Sequence, residues 1–163
     1  MSFLARHGAH VIVLGGPLVL MAGMFAVLHL SDPERDRPTR PQRGLLPLAL
    51  CWTAAGAIHL AVIGEHFEDA FLLGAFFVVL AAVQLSYAWA LLTIPTPQLL
   101  VAGLVANLGV IGLWAFTRAV DVPFGLGGRE PIGVVDLTAT ALELAAVLLT
   151  ARALRAAPRL LVS

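Results

Sequence analysis

The chain has 163 residues, 60% hydrophobic and 12% charged, with ten basic against ten acidic side chains and no formal net charge. Its mean hydropathy is +0.92, and a soluble domain carries about 25% charged residues, so the composition excludes an ordinary soluble domain and points to the lipid bilayer. All ten basic residues are Arg and they form no single helix face, which argues against a nucleic-acid partner. Arg without Lys, together with abundant Ala and Leu, matches the coding bias of a GC-rich bacterial genome and suggests a bacterial plasma membrane.

Five apolar segments follow in chain order, at about residues 9–30, 45–64, 70–93, 98–118 and 132–151. Each approaches the ~20 residues that a helix needs to cross ~30 Å of hydrocarbon. The expected fold is therefore all-α, a single membrane domain built as a bundle of five transmembrane helices. The first segment follows Arg6 but is too long for an ordinary signal core, and LHLSD offers no small-residue cleavage pattern, so it reads as a retained helix. Gly15, Gly16, Pro17 and Gly23 within it permit close helix contact or a kink. The loop SDPERDRPTRPQRG holds three Pro and seven charges and reads as extended and solvated. The short IPTP connection makes the third and fourth spans an antiparallel hairpin.

Arginine placement sets the expected orientation. Arg35, Arg37, Arg40, Arg43, Arg152, Arg155 and Arg159 share one side of a five-span chain, and Arg6, Arg118 and Arg129 the other. Basic loops are retained in the cytoplasm, which places the N-terminus outside and the C-terminus inside. Glu65, His66, Glu68, Asp69, Asp121 and Glu130 then collect on the outer face.

The stretch HLAVIGEHFED, His59 to Asp69, carries the densest ionisable chemistry. Such groups beside lipid-facing sequence are costly unless they pair, coordinate something or sit in a wetted cavity. Imidazole and carboxylate suit a divalent transition metal, so His59, Glu65, His66 and Asp69 are candidate metal ligands. His59 and His66 lie two helical turns apart, about 10 Å along an axis, and sharing one ion would require the helix to end or bend near Gly64. No HExxH, ExxH or CxxC motif occurs, and a hydrogen-bonded interfacial loop is the competing reading. His7 and His10 begin the first span on the same side and read as interface residues. Cys51 sits alone in an apolar run and can form no intrachain disulfide.

The last span places Asp136, Thr140 and Glu143 on one stripe. Glu143 falls near mid-bilayer at ~1.5 Å per residue, where a carboxyl group has to be protonated or paired. Gln84 and Asn107 also fall near their span centres. The three read either as interhelical glue or as a ligand- or proton-binding interior. Trp114 and Arg118 are one turn apart, and Arg118 can reach Asp121, Glu130 or Asp136, which would lower the desolvation cost of each charge.

In order along the chain, IHLAVIGEHFED, GAFFVVLAAVQL, NLGVIGLWAFTR and EPIGVVDL with its Glu-bearing span cover roughly residues 58–143. This combination resembles a family of small multi-pass membrane proteins, mostly actinobacterial. The family pattern often has Gly in the turn after its Trp-x-x-Thr/Ser-Arg element, where this chain has Asp121. The resemblance implies a shared helix bundle and marks His59, Glu65, His66, Gln84, Asn107, Trp114, Arg118, Glu130, Asp136 and Glu143, without implying an activity. Two functions fit these residues. One is an outward-facing His/Glu/Asp site binding a transition metal or small ligand, in transport or as an accessory to an extracytoplasmic metalloprotein. The other is a structural or assembly subunit whose polar groups fix packing, a membrane-protein partner or a homo-oligomer. An enzyme acting on lipid or quinone is a weaker third.

Overall fold

The computed structural model describes residues 43–119 and 132–160, with side chains over 44–119 and 132–156. The expected span at 9–30, together with His7, His10, Asp121 and Glu130, lies outside the described residues. Among the described residues the chain is entirely helical. After a short 3-10 turn at Arg43–Leu45 come α1 (Leu46–Ala61), α2 (Ile63–Asp69), α3 (Phe71–Thr93), α4 (Pro97–Ala119) and α5 (Val134–Leu160).

Three of these helices are long and apolar enough to cross a membrane, or four if α1 and α2 count as one broken span. The outward faces carry large apolar side chains, among them Leu50, Trp89, Val105, Phe116 and Leu148. Water-soluble bundles keep that kind of surface inside.

The second expected span is divided. Between α1 and α2 the axis turns by 44°, and Val62 serves as the end of one helix and the start of the next. The carbonyl of Val62 accepts from the His66 N–H at 3.2 Å and from the His66 ring Nδ1 at 2.8 Å. A side chain competing for a ladder carbonyl is a recognised source of helix bending. Ala70, extended at φ −162° and ψ 137°, separates α2 from α3. The tight return works because the Phe67 ring lies on Gly74, where a Cβ would collide with it.

At the opposite end, Ile94–Thr96 turns α3 into α4. The Thr96 hydroxyl accepts from the Leu99 N–H at 3.1 Å, and Pro97 occupies the first helical position. Both choices are favourable at a helix N-terminus, where amide donors lack helical partners. Tyr87 locks the same corner by donating its hydroxyl to the Leu99 carbonyl at 2.9 Å. Its ring meets Trp52 at 4.2 Å between centroids, within a core that includes Leu48, Leu91, Leu99 and Ala146.

Laterally, α1 packs between α3 and α5, α4 packs on α5, and α2 lies on α3. The arrangement sets the middle of α5 against α1 on one side and α4 on the other.

Candidate functional site

Three polar side chains from three helices meet inside the bundle. His59 from the last turn of α1, Gln84 from the middle of α3 and Glu143 from α5 are 7%, 0% and 2% exposed. The His59 ring Nδ1 lies 2.7 Å from Gln84 Oε1, and Gln84 Nε2 donates to Glu143 Oε1 at 3.1 Å. The same carboxylate oxygen is 4.0 Å from His59 Nε2, which closes the three groups into a triangle. Asn107 from α4 brings a fourth helix in, donating from Nδ2 to the Glu143 backbone carbonyl at 3.0 Å.

The α5 stripe explains this placement. Ala139, Glu143, Ala146 and Thr150 are buried, and Asp136 and Thr140 are half-buried on the same side. Small residues at the neighbouring positions let α1 and α4 approach, so Glu143 can reach a partner without extending into lipid. Gly56 on α1 serves the same end, since a Cβ there would sit 3.2 Å from Gln84 Cβ and 3.0 Å from the Leu85 side chain.

A second group lies toward the end of the bundle where α3 and α5 begin. Asp136 Oδ2 accepts from Arg118 Nη2 at 3.1 Å and from the Gly133 N–H at 3.2 Å. One carboxylate therefore caps α5 and ties it to α4. The Arg118 guanidinium lies over the Trp114 ring, 5.6 Å from its centroid, and Nη1 donates to the Thr117 hydroxyl at 2.9 Å. The Phe77 ring links the two imidazoles, with centroids 5.5 Å from His59 and 3.9 Å from His66.

The four candidate metal ligands are distributed differently from the expectation. His59 turns inward to Gln84 and Glu143, whereas Glu65 and Asp69 are exposed and His66 is half-buried. The cause is the break at Val62, which ends α1 soon after His59 and redirects the acidic turn away from the bundle axis. Among the described residues no three His, Cys, Asp or Glu side chains form a group that could hold a metal ion. Gln84, Asn107 and Glu143 do come together, and His59 belongs with them. Of the three carboxylates expected within reach of Arg118, Asp136 is a partner.

Tyr87 and Thr96, which hold the turn between α3 and α4, lie outside the residues expected from the sequence to matter. Tyr87 lies one helical turn beyond Gln84, a spacing that places both on the inward face of α3, and this offered a usable signal.

No protein-family model, curated protein or solved structure matches this chain.

Proposed function

We propose that this chain is a five-span protein of the bacterial plasma membrane, with its N-terminus outside and its C-terminus in the cytoplasm, and that its polar interior receives a small cationic ligand from the outer side in the course of transport. The carrying observation is the buried contact of His59, Gln84 and Glu143 inside helices of membrane-spanning character. The hydrogen-bond inventory favours a cation. Gln84 and Asn107 spend donors on Glu143, while Asn107 Oδ1 is buried with no hydrogen-bond partner among the described residues. Glu143 adds carboxyl acceptors to the same interior. A buried, unpartnered amide oxygen beside a carboxyl group attracts a species that brings donors or positive charge.

Asp136 and His66 mark the approach, because Asp136 lies in the first turn of α5 and the Phe77 ring joins His66 to His59 at the end that the arginine distribution assigns to the outside. Arg118 holds Asp136 in place there. A divalent transition metal is the form of cation named by the residue types, and it would require ligands beyond those gathered among the described residues.

The structural-subunit reading has its own supporting observation, since Gln84 and Asn107 both end on Glu143 and so bind helices together. Proteoliposomes separate the two. With a pH-sensitive dye enclosed and a potential imposed, the native protein should carry charge in a cation-dependent way, and Glu143→Gln should lose most of that flux while unfolding at a similar temperature. Absence of flux from folded protein, together with a stoichiometric membrane-protein partner on purification, would select the subunit reading. Elemental analysis of the same preparation reports any bound metal.

A further inference from the structure

The geometry points to one resident proton, shared by His59 and Glu143, as the species held at the centre of the bundle. This deepens the transport reading and rests on it for biological purpose, but its chemistry stands on the hydrogen-bond inventory alone.

A glutamine amide has one accepting oxygen and one donating nitrogen. Gln84 directs Nε2 to Glu143 Oε1 at 3.1 Å and Oε1 to His59 at 2.7 Å, so His59 Nδ1 must carry hydrogen. In a neutral ring the lone pair is then on Nε2, which faces Glu143 Oε1 at 4.0 Å. A buried lone pair and a buried carboxylate oxygen facing each other repel, and neither has bulk water to screen it. One proton removes the conflict, whether on Nε2 as imidazolium beside carboxylate or on Oε1 as carboxylic acid beside neutral imidazole.

The amide orientation does not alter the result. With Gln84 turned over, its oxygen would face Glu143 Oε1 at the same 3.1 Å, and two acceptors at that distance again require a proton on the carboxyl group. In both arrangements the three side chains form a complete network with one proton and an incomplete one with none. A second proton would leave imidazolium beside carboxylic acid, a buried charge without its counter-ion.

Transfer within the pair is balanced. The O–H bond of Glu143 breaks as the N–H bond at His59 Nε2 forms, leaving carboxylate and imidazolium, and the reverse step restores the neutral pair. A direct hydrogen bond needs a shorter approach than 4.0 Å, so transfer follows a small closing motion of α1 toward α5 or passes through one bridging water. The ionisable groups placed to act on the pair are His66 from α2 and Asp136 from α5, with Arg118 from α4 paired to Asp136. From α3 the polar contact is Gln84, which is uncharged.

The test counts protons on the native protein in bilayers at neutral pH. Solid-state NMR on protein labelled with 15N at His and 13C at the Glu carboxyl reports the ring tautomer of His59 and the state of Glu143, with His59→Gln and Glu143→Gln used to assign the signals. The expected result is one proton beyond the single N–H of a neutral ring, with Nδ1 coupled to Gln84. A second, assignment-independent measurement is infrared spectroscopy of the native protein with and without 13C-labelled Glu, which shows whether a buried carboxylic acid is present. A neutral imidazole beside an ionised Glu143, or protons on both partners, would overturn the proposal. A singly protonated pair in protein that carries no flux would remove the transport reading and leave the proton site standing. Flux through a pair that holds no proton would do the opposite.

Discussion

Gln84 on α3 donates to Glu143 on α5 at 3.1 Å, across 59 positions of sequence. Because α1 lies between those helices, the bond passes beside His59, and Gln84 occupies both groups at once. Replacing it by Leu keeps the side-chain bulk but strands an imidazole and a carboxyl group in the interior. Leaving buried polar groups unsatisfied costs ~1–3 kcal/mol each. Gln84→Leu should therefore lower the unfolding temperature in detergent by more than Ser86→Leu on the exposed face of α3. Equal stability of the two variants would mean that the three-way contact contributes little to folding.

Glu143 discriminates between isosteric and charged replacements. Gln at this position can still accept from Gln84 and carries no formal charge, so Glu143→Gln should insert and fold. Glu143→Lys places an ammonium group where the site is 2% exposed, and charge buried without a partner is strongly destabilising. Expression and size-exclusion behaviour should separate the variants, with Lys giving aggregated or degraded protein. A Lys variant matching the native protein in both would show that this position reaches water.

The contrast between Glu143 and His59 shows which features could be read from sequence. Helix character, the hairpin at 94–96 and the inward stripe of α5 follow from hydropathy and from the spacing of Asp136, Thr140 and Glu143, because these are local properties of one helix. The partner of His59 is a tertiary property. Its nearest ionisable neighbours in sequence are Glu65 and His66, which a continuous helix holds nearly two turns away, ~10 Å along the axis, so that grouping them depends on how the helix ends or bends. The bend that forms, at Val62, does not bring them together, and His59 instead pairs with Gln84, 25 positions away. Nothing in the IGEHFED string declares that His66 will use its ring on the Val62 carbonyl. The same limit applies to Tyr87, whose role depends on Gly103 arriving from the next helix.

Gly103 has a single structural reason to lack a side chain. A Cβ built there would run into the Tyr87 hydroxyl and ring, and the hydroxyl is held by the Leu99 carbonyl. Gly103→Ala should cost ~1–3 kcal/mol as overpacking. Combining it with Tyr87→Leu should recover part of that loss, since the shorter side chain vacates the space. The coupling is read as non-additivity in denaturation of the two single variants and the double variant. Additive effects would mean that Gly103 and Tyr87 do not compete for one volume.

Arg118 and Asp136 form the link between α4 and α5 at the end opposite the hairpin. Their side chains are 11% and 35% exposed, intermediate between a solvated pair and a desolvated one. A double-mutant cycle with Ala at each position should give a coupling of roughly 1 kcal/mol, at the upper end of exposed pairs. Asp136→Asn should be milder than Asp136→Ala, because Asn still offers an oxygen to the Gly133 N–H. A cycle with no coupling would assign the worth of Asp136 to capping alone.

Orientation is the prediction on which the outer approach to His59 depends. Seven Arg fall on one side of the expected five-span topology and three on the other, and the positive-inside bias retains the richer side in the cytoplasm. A cysteine introduced at Thr39 should then resist an impermeant thiol reagent in intact cells, whereas one at Gly127 should react. Native Cys51, partly buried against the core, is first replaced by Ala so that labelling reports the introduced thiol, and both sites should label once the membrane is permeabilised. Labelling at Thr39 with protection at Gly127 would invert the molecule. Arg118, Asp136 and His66 would then face the cytoplasm, and any cation reaching His59 and Glu143 by that route would come from inside the cell. Labelling at both sites would place them on one side, contradict the three crossings expected between them, and require α1 and α2 to be counted differently from a single crossing.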